Sequence, residues 1–146
     1  MKKIILSLTL LMTTCYAQDL NNAFTYSESG MVVQKLRMAI LAQNIANLHT
    51  LEDKETGLPW QKRYVVLAPD KNGVRATSIE KSKKPFGKYY DPGAPQANAD
   101  GYYSYPNVNL SDEMMLLSLT EVMFEANSTA FKTTKTLYQN FIDIMK

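Results

Sequence analysis

Histidine and cysteine are almost absent from this chain of 146 residues, which holds one of each, His49 and Cys15. A metal site built from histidine and cysteine needs several such side chains, so that class of site is excluded. Any Ser-His-Asp arrangement would depend on His49, which stands beside Thr50 at the predicted end of a helix. At that position an interaction with the last helical carbonyls is the ordinary role of a histidine.

Other signatures of chemistry are also missing. The sequence contains no glycine-rich phosphate loop and no calcium-loop spacing. Its carboxylate pairs, Asp112/Glu113 and Glu52/Asp53, are of a kind common on protein surfaces, and no apolar pocket is apparent to tune them for catalysis. The sequence therefore predicts no enzyme, no cofactor, no metal and no small-molecule substrate.

An excess of one charge is lacking as well. The chain has 16 basic and 14 acidic residues, and residues 1–17 hold two of the lysines and no acidic residue. Without that segment the chain has 14 basic and 14 acidic residues. This balance excludes the strongly basic surface that nucleic acid requires. A net charge near zero permits self-association.

Long apolar runs are confined to the start of the chain. Two lysines precede the run Ile4 to Met12, and small residues at Cys15 and Ala17 suit cleavage before Gln18. This pattern predicts a secretory signal peptide over 1–17, since the run is too short to span a bilayer. Two alternatives stay open, namely lipid attachment at Cys15 and an uncut helix tip.

The remaining chain divides into a helical segment (18–50), an insert (51–108) and a second helical segment (109–146). The first helix is predicted from about Leu20 to Leu48. Spacings of three and four residues give it one coiled-coil seam: Phe24, Ser27, Met31, Gln34, Met38, Leu41, Ile45 and Leu48. Gly30 interrupts this helix and suggests a close approach or a bend.

The insert holds all six prolines and five of the six glycines. Tyr64–Leu67 and Val74–Ile79 are predicted to form a hairpin around an Asn72-Gly73 turn. A basic run indicates a solvated surface: Lys81, Lys83, Lys84 and Lys88. Five further tyrosines follow, either covering a small core or forming a protein interface: Tyr89, Tyr90, Tyr102, Tyr103 and Tyr105.

No glycine or proline occurs from Ser111 onward, so a second long helix is predicted to the chain end, capped by Asn109 or Ser111. Two apolar rows recur along it every seven residues. Row one is Leu116, Met123, Ala130, Leu137 and Ile144, widened by Leu119 and Ala126. Row two is Leu117, Phe124, Phe131, Tyr138 and Met145.

Two rows require two partners. The first helix offers one seam, which row one suffices to fill. We therefore expect Phe124, Phe131 and Tyr138 to face either the insert or, in preference, other subunits, because row two continues to Met145, beyond easy reach of the insert.

An ordered set of motifs resembles the flagellar rod and hook proteins, and the FlgC type among them. The segments are Gln43–Thr50, Ser29–Met31 with Gln34, Leu36 and Arg37, Tyr90–Pro95, Asp100–Tyr102, Tyr105–Asn109 with Glu113–Met114, and Glu125–Asn127. Two features depart from that family: a signal peptide, and Val122-Met123 where an Ala-Arg-like pair commonly stands.

The resemblance implies an α+β fold whose terminal helices pair as a coiled coil, with a small β-rich or irregular insert outside. It implies a structural subunit of the proximal rod in the periplasm, and Asn44, Asn47 and Asn127 as buried groups fixing helix register. Capping or solvation would be the ordinary role of these asparagines. The expected partners are copies of itself, other rod proteins, the basal-body base and the surrounding rings.

The expected subunit interface comprises Gln34, Arg37, Asn44, Asn47, Leu117, Phe124, Asn127, Phe131, Tyr138 and Met145. An alternative function is a secreted coiled-coil adaptor or ring component of another envelope structure that keeps the rod fold.

Overall fold

The computed structural model describes residues 2–54 and 56–145, with side chains from residue 21 onward. The elements are α1 (Lys2–Ala46), β1 (Arg63–Asp70), β2 (Gly73–Lys81), β3 (Gly87–Tyr90), β4 (Tyr102–Tyr105) and α2 (Leu110–Ile144). Two long terminal helices thus enclose a small antiparallel β region, which confirms the predicted α+β class.

The first helix is longer than predicted, because α1 begins at Lys2 and includes the backbone of the segment expected to be a signal peptide. It ends at Ala46, where Leu48 N–H donates to the Ile45 carbonyl in a tight final turn. Within the part of the chain that the structure describes, neither helix combines the length and the apolar character that a membrane span requires.

The predicted hairpin is present and extends further than expected. β1 and β2 pair antiparallel from Arg63↔Lys81 to Asp70↔Gly73, with a register irregularity between Val66 and Leu67. The turn is displaced by one residue from the predicted Asn72-Gly73 pair. Lys71 and Asn72 form the turn. Of residues 71–73, Gly73 alone adopts a positive φ, of 117°.

A second two-stranded sheet, β3–β4, was not predicted as strands. Its register, Gly87↔Tyr105 to Tyr90↔Tyr102, places tyrosines opposite each other. The ring centroids of Tyr90 and Tyr102 lie 5.0 Å apart, and those of Tyr89 and Tyr103 lie 5.6 Å apart. Such cross-strand aromatic pairs stabilise a sheet of only four-residue strands.

The second helix begins as predicted. The Asn109 side chain accepts a hydrogen bond from Asp112 N–H at 3.2 Å, which makes Asn109 the N-cap. α2 then runs antiparallel to α1, because Asn44 near the end of α1 meets Glu113 at the start of α2, while Phe24 meets Phe131 much further along.

The β1–β2 hairpin lies along α1. Arg63, at the start of β1, bonds Asn44, and at the other end Val74 N–H donates to Ser29 Oγ at 3.3 Å. Between these ends, Val33 and Leu36 of α1 line the same groove as Val74. α1 is therefore the central element, with α2 against one face and the hairpin against another.

Candidate functional site: a buried polar junction and an exposed face of α2

Asn44 is completely buried and joins three parts of the chain. Its amide nitrogen donates to the Arg63 carbonyl at 2.8 Å and to Glu113 Oε2 at 2.9 Å. Its amide oxygen accepts from Arg63 N–H at 2.9 Å and from Trp60 Nε1–H at 3.3 Å. An asparagine side chain offers two donors and two acceptors, so Asn44 uses its full capacity.

Glu113 corrects one prediction, because it is completely buried where the sequence suggested a surface carboxylate. Its Oε1 forms an ion pair with Lys62 Nζ, whose side chain is 25% exposed, while Oε2 accepts the bond from Asn44. Both carboxylate oxygens are thus occupied by partners on different elements. A buried carboxylate that lacked them would be costly, so each partner depends on the others.

Aromatic and polar side chains surround Asn44 and Glu113. The Arg63 guanidinium carbon lies 4.3 Å from the centroid of the buried Trp60 ring, a cation–π arrangement. Asn107, just before α2, accepts from Lys62 N–H at 2.7 Å and donates to the Lys84 carbonyl at 2.7 Å. The insert and the start of α2 are therefore connected at the same place.

We define the Asn44 cluster as Asn44, Lys62 and Glu113. The N-cap at Asn109 places Glu113 in the first turn of α2, where its N–H donates to the Asn109 carbonyl at 3.0 Å. The negative side chain thus lies at the positive end of the helix dipole, as a carboxylate prefers. Every member has a protein partner, so the arrangement is suited to holding elements together rather than to reacting with a substrate.

Among the described residues, no group of three metal-ligating side chains comes together. His49 is exposed in the turn after α1. On the hairpin, Tyr64 Oη–H donates to Glu80 Oε2 at 3.1 Å, and this bond to a carboxylate raises the pKa of the phenol above its usual 10.0. That pair is at the surface and separate from the Asn44 cluster.

The orientation of α2 overturns the prediction for its two rows. The Phe24 ring of α1 lies 5.1 Å from the Phe131 ring and 6.4 Å from the Tyr138 ring, both edge-on. The Phe131 and Tyr138 rings of row two therefore pack against the chain's own first helix. The prediction was wrong because it assigned the seam of α1 to row one, whereas Phe24 of that seam contacts row two.

Small and polar residues complete the contact between the helices. The sequence prediction considered only apolar residues and therefore assigned row one, instead of row two, to the contact with α1. Thr120 and Thr134 are buried on the same face as row two, and their hydroxyls donate to the carbonyls of Leu116 (2.6 Å) and Ala130 (2.9 Å). A threonine whose hydroxyl donates to a carbonyl of its own helix can be buried at little cost in free energy.

Row one is left largely open. We define the exposed stripe as the apolar side chains of α2 that share one face roughly 100° wide at 100° per residue: Met115, Leu119, Val122, Met123, Ala126, Ala130, Leu137, Phe141 and Ile144. Val122 is 63% exposed and Leu137 54%. An apolar face of this length on a single helix is unusual for a monomer and typical of an interaction site.

The remaining predicted interface residues have varied positions. Gln34 Nε2–H donates to Met123 Sδ at 3.7 Å, and Arg37 donates to Gln34 Oε1 at 3.3 Å. Asn47 is a local cap, since its amide donates to the Gln43 carbonyl at 2.9 Å. Leu117 and Phe124 are half-buried, whereas Met145 is exposed.

Asn127 lies where α2 closely approaches Gly30 of α1. A Cβ at Gly30 would stand 2.8 Å from the Cγ, Nδ2 and Oδ1 atoms of Asn127. The close approach suggested by Gly30 is therefore confirmed. The Asn127 amide itself donates to the Met123 carbonyl at 3.0 Å. Of the three asparagines expected to fix register, only Asn44 hydrogen-bonds across elements.

Sequence reasoning missed several members of the junction. Lys62, Trp60 and Arg63 carried no motif, and Glu113 was assigned only to a surface carboxylate pair and to a family motif. One available signal was the tryptophan, the only one in the chain, since a single large aromatic beside charged residues commonly marks a buried polar contact.

Comparison with known proteins shows the family to which the chain is related. A family model described as the C-terminal part of flagellar basal-body rod proteins of the FlgE, FlgF and FlgG type matches residues 99–144. That span begins just before β4 and covers all of α2, including the exposed stripe.

Full-length relatives extend the match to most of the chain. It is 30% identical to the flagellar basal-body rod protein FlgC of Bacillus subtilis, covering 86% of this chain and 97% of that protein. The FlgC proteins of Borreliella burgdorferi (29% identical; 86% and 97% covered) and Aquifex aeolicus (31%; 88% and 98%) are similar. The chain belongs to the FlgC family of flagellar basal-body rod proteins and is a structural subunit of the rod.

Proposed function

We propose that this rod subunit polymerises through α1 and α2 in the proximal rod, as part of the structure that transmits torque across the periplasm. The observation that carries the proposal is the exposed stripe, an apolar helix face beside a seam already filled by α1. Burying a side chain of the size of Leu or Phe contributes about 1.5–3 kcal/mol, so several such residues favour a partner helix strongly.

The proposed occupants of the stripe are helices of neighbouring rod subunits, both copies of this chain and other rod proteins. The proposed contact is head-to-tail, which means that the stripe of one subunit meets a different surface of the next. Head-to-tail contacts that do not close into a ring give filaments. Tyr138 and Met145, which are exposed near the end of α2 and outside the stripe, remain candidates for a further contact with other subunits.

The subunit is proposed to act without catalysis, and to contact the basal-body base and the surrounding rings. The Asn44 cluster supports the first point, since its polar groups are committed to each other. The alternative, an adaptor of another envelope structure, is not favoured because the FlgC relatives match the chain over most of its length.

A charge in the exposed stripe tests the proposal. Val122→Glu should leave the fold unchanged, because the side chain is already exposed, but should prevent incorporation into basal bodies. Ile79→Glu is the matched control, since Ile79 is a comparably exposed β-branched residue on the β1–β2 hairpin. Both variants would be compared by circular dichroism and by the amount of subunit in purified basal bodies.

Incorporation of Val122→Glu at the level of the unaltered protein would contradict the proposal. If the Ile79→Glu control were also excluded from basal bodies, the stripe would have no special role.

The export route is part of the same proposal. We expect removal of residues 1–17, so that the assembled protein begins at Gln18 and α1 retains the residues that contact α2. Mass spectrometry of basal bodies should find Gln18 at the amino terminus. An intact Met1, or a lipid on Cys15, would contradict this step.

A further inference from the structure

The contact between α1 and α2 has a repeat that permits more than one alignment. The large side chains of row two recur every seven residues at Leu117, Phe124, Phe131 and Tyr138. Sliding α2 by seven residues moves it by roughly 10.5 Å along α1 and replaces each of these side chains by a similar one. Apolar packing alone therefore distinguishes poorly between the observed register and its neighbours.

The polar positions between these residues differ more. The intervening positions of the same face are Glu113, Thr120, Asn127 and Thr134, and three of the four bond carbonyls of their own helix. Only Glu113 hydrogen-bonds a side chain of α1, through Asn44. This contact exists in one register and would be lost in any other.

We propose that the Asn44 cluster fixes the register of the two helices and attaches the insert at that register. Asn44 is the central positioning residue, because its amide contacts Glu113 of α2 on one side and both backbone groups of Arg63 on the other. Lys62 completes the cluster, since its ammonium group compensates the buried carboxylate from the insert.

Each shifted alignment is penalised by the same groups. A slip of one heptad would place Thr120 or the residues before α2 opposite Asn44, and would leave the Glu113 carboxylate or the Asn44 amide without its buried partner. A polar group at a single core position is known to specify register in this way, at some cost in stability. This inference goes beyond the proposed function and concerns the isolated chain, so it does not depend on rod assembly.

Three cysteine pairs in a Cys15→Ser background report the register. Gly30→Cys with Asn127→Cys reports the observed alignment, because these positions are in close contact. Gly30→Cys with Thr134→Cys, or with Thr120→Cys, reports a slip of one heptad in either direction. These shifted pairs are separated by roughly two further helical turns in the observed structure, too far for a disulfide.

With the cluster intact, only the Gly30/Asn127 pair should form a disulfide under mild oxidation. The apolar replacement Lys62→Met and Glu113→Leu should keep the helical circular dichroism, because it removes the buried ion pair and leaves Asn44 its bonds to Arg63 and Trp60. In that background a shifted pair should also form, with loss of yield at the observed pair. Asn47→Leu, which removes only a local cap, is the control and should retain the observed pair alone.

A transplanted contact supplies the second arm. Exchanging Glu113→Thr and Thr120→Glu moves the carboxylate one heptad along α2, and the Gly30/Thr134 pair should then become the dominant disulfide. The proposal is overturned if the observed pair remains the sole product in both the apolar and the transplanted variants. It is also overturned if the apolar variant unfolds, since the cluster would then serve stability and not register.

Discussion

At the scale of single residues, Asn44 shows how much one amide can determine. Four hydrogen bonds of 2.8–3.3 Å converge on a side chain that has no exposed surface. Because two of the bonds need an N–H donor and two need an acceptor, neither an aspartate nor a leucine can reproduce the set. The asparagine was noticed from its motif, but its partners were not, since nothing in the sequence relates position 44 to positions 60, 63 and 113.

The first prediction uses the isosteric change Asn44→Asp. It replaces the donating nitrogen by an oxygen that faces the Arg63 carbonyl and the Glu113 carboxylate, so the free energy of unfolding should fall by at least about 3 kcal/mol. Asn47→Asp, three residues away in a local cap, should cost under about 1 kcal/mol. Urea unfolding followed by circular dichroism measures both, and equal losses would contradict the assigned role of Asn44.

Gly30 is the second residue whose role is geometric. It is buried in the interior of α1, where glycine is unfavourable by about 1 kcal/mol relative to alanine, yet a Cβ there would lie 2.8 Å from the Asn127 side chain. The close approach of the helices therefore offsets the helix-forming advantage of alanine.

Gly30→Ala should accordingly lower the free energy of unfolding by about 1–2 kcal/mol in the unaltered chain. In an Asn127→Ala background, where the obstruction is absent, the same change should raise it by about 0.5–1 kcal/mol. Thermal unfolding of the four proteins in this cycle provides the comparison. The same sign in both backgrounds would show that the Asn127 contact is not what excludes a side chain at position 30.

At the scale of elements, periodicity and turn chemistry predicted most of the fold. The second helix, its Asn109 cap and the β1–β2 hairpin follow from local signals that tertiary contacts did not override. β3 and β4 could not be predicted, because no short turn joins these four-residue strands and because they are stabilised by tyrosine pairs that only the folded chain brings together. The start of α1 at Lys2 was missed because the apolar run indicated a leader.

Which face of α2 meets α1 could not be predicted either. Both rows repeat every seven residues, so periodicity does not show which row packs against α1. That depends on the close approach at Gly30, on threonines whose hydroxyls bond carbonyls of their own helix, and on the hairpin that occupies another face of α1. These are properties of the partner surface and not of the α2 sequence.

The third prediction follows from this orientation. Phe131→Ala removes a ring packed against Phe24 and should lower the free energy of unfolding by about 3 kcal/mol or more. Leu137→Ala, in the exposed stripe, should change it by less than about 0.5 kcal/mol, as is usual for surface positions. Chemical denaturation of the unassembled protein decides between the rows, and the reverse order of the two effects would refute the observed packing.

At the scale of the whole molecule, one helix pair is proposed to serve two purposes. The inner face of α2 joins α1 to form the subunit, and the outer face is available to other subunits in the rod to which this family belongs. The Asn44 cluster lies between the helices and the insert, so the alignment of the helices also determines where the stripe stands relative to the β hairpins.

The most direct test of this division is site-specific photo-crosslinking in assembled basal bodies. A photoreactive phenylalanine analogue would replace Leu119 in the exposed stripe, Phe131 in the inner face, or Ile79 on the hairpin as the control. We predict adducts with neighbouring subunits from position 119, none from position 79, and only crosslinks within the chain from position 131, because Phe131 packs on Phe24. Adducts with neighbouring subunits from position 131, with none from position 119, would contradict the account.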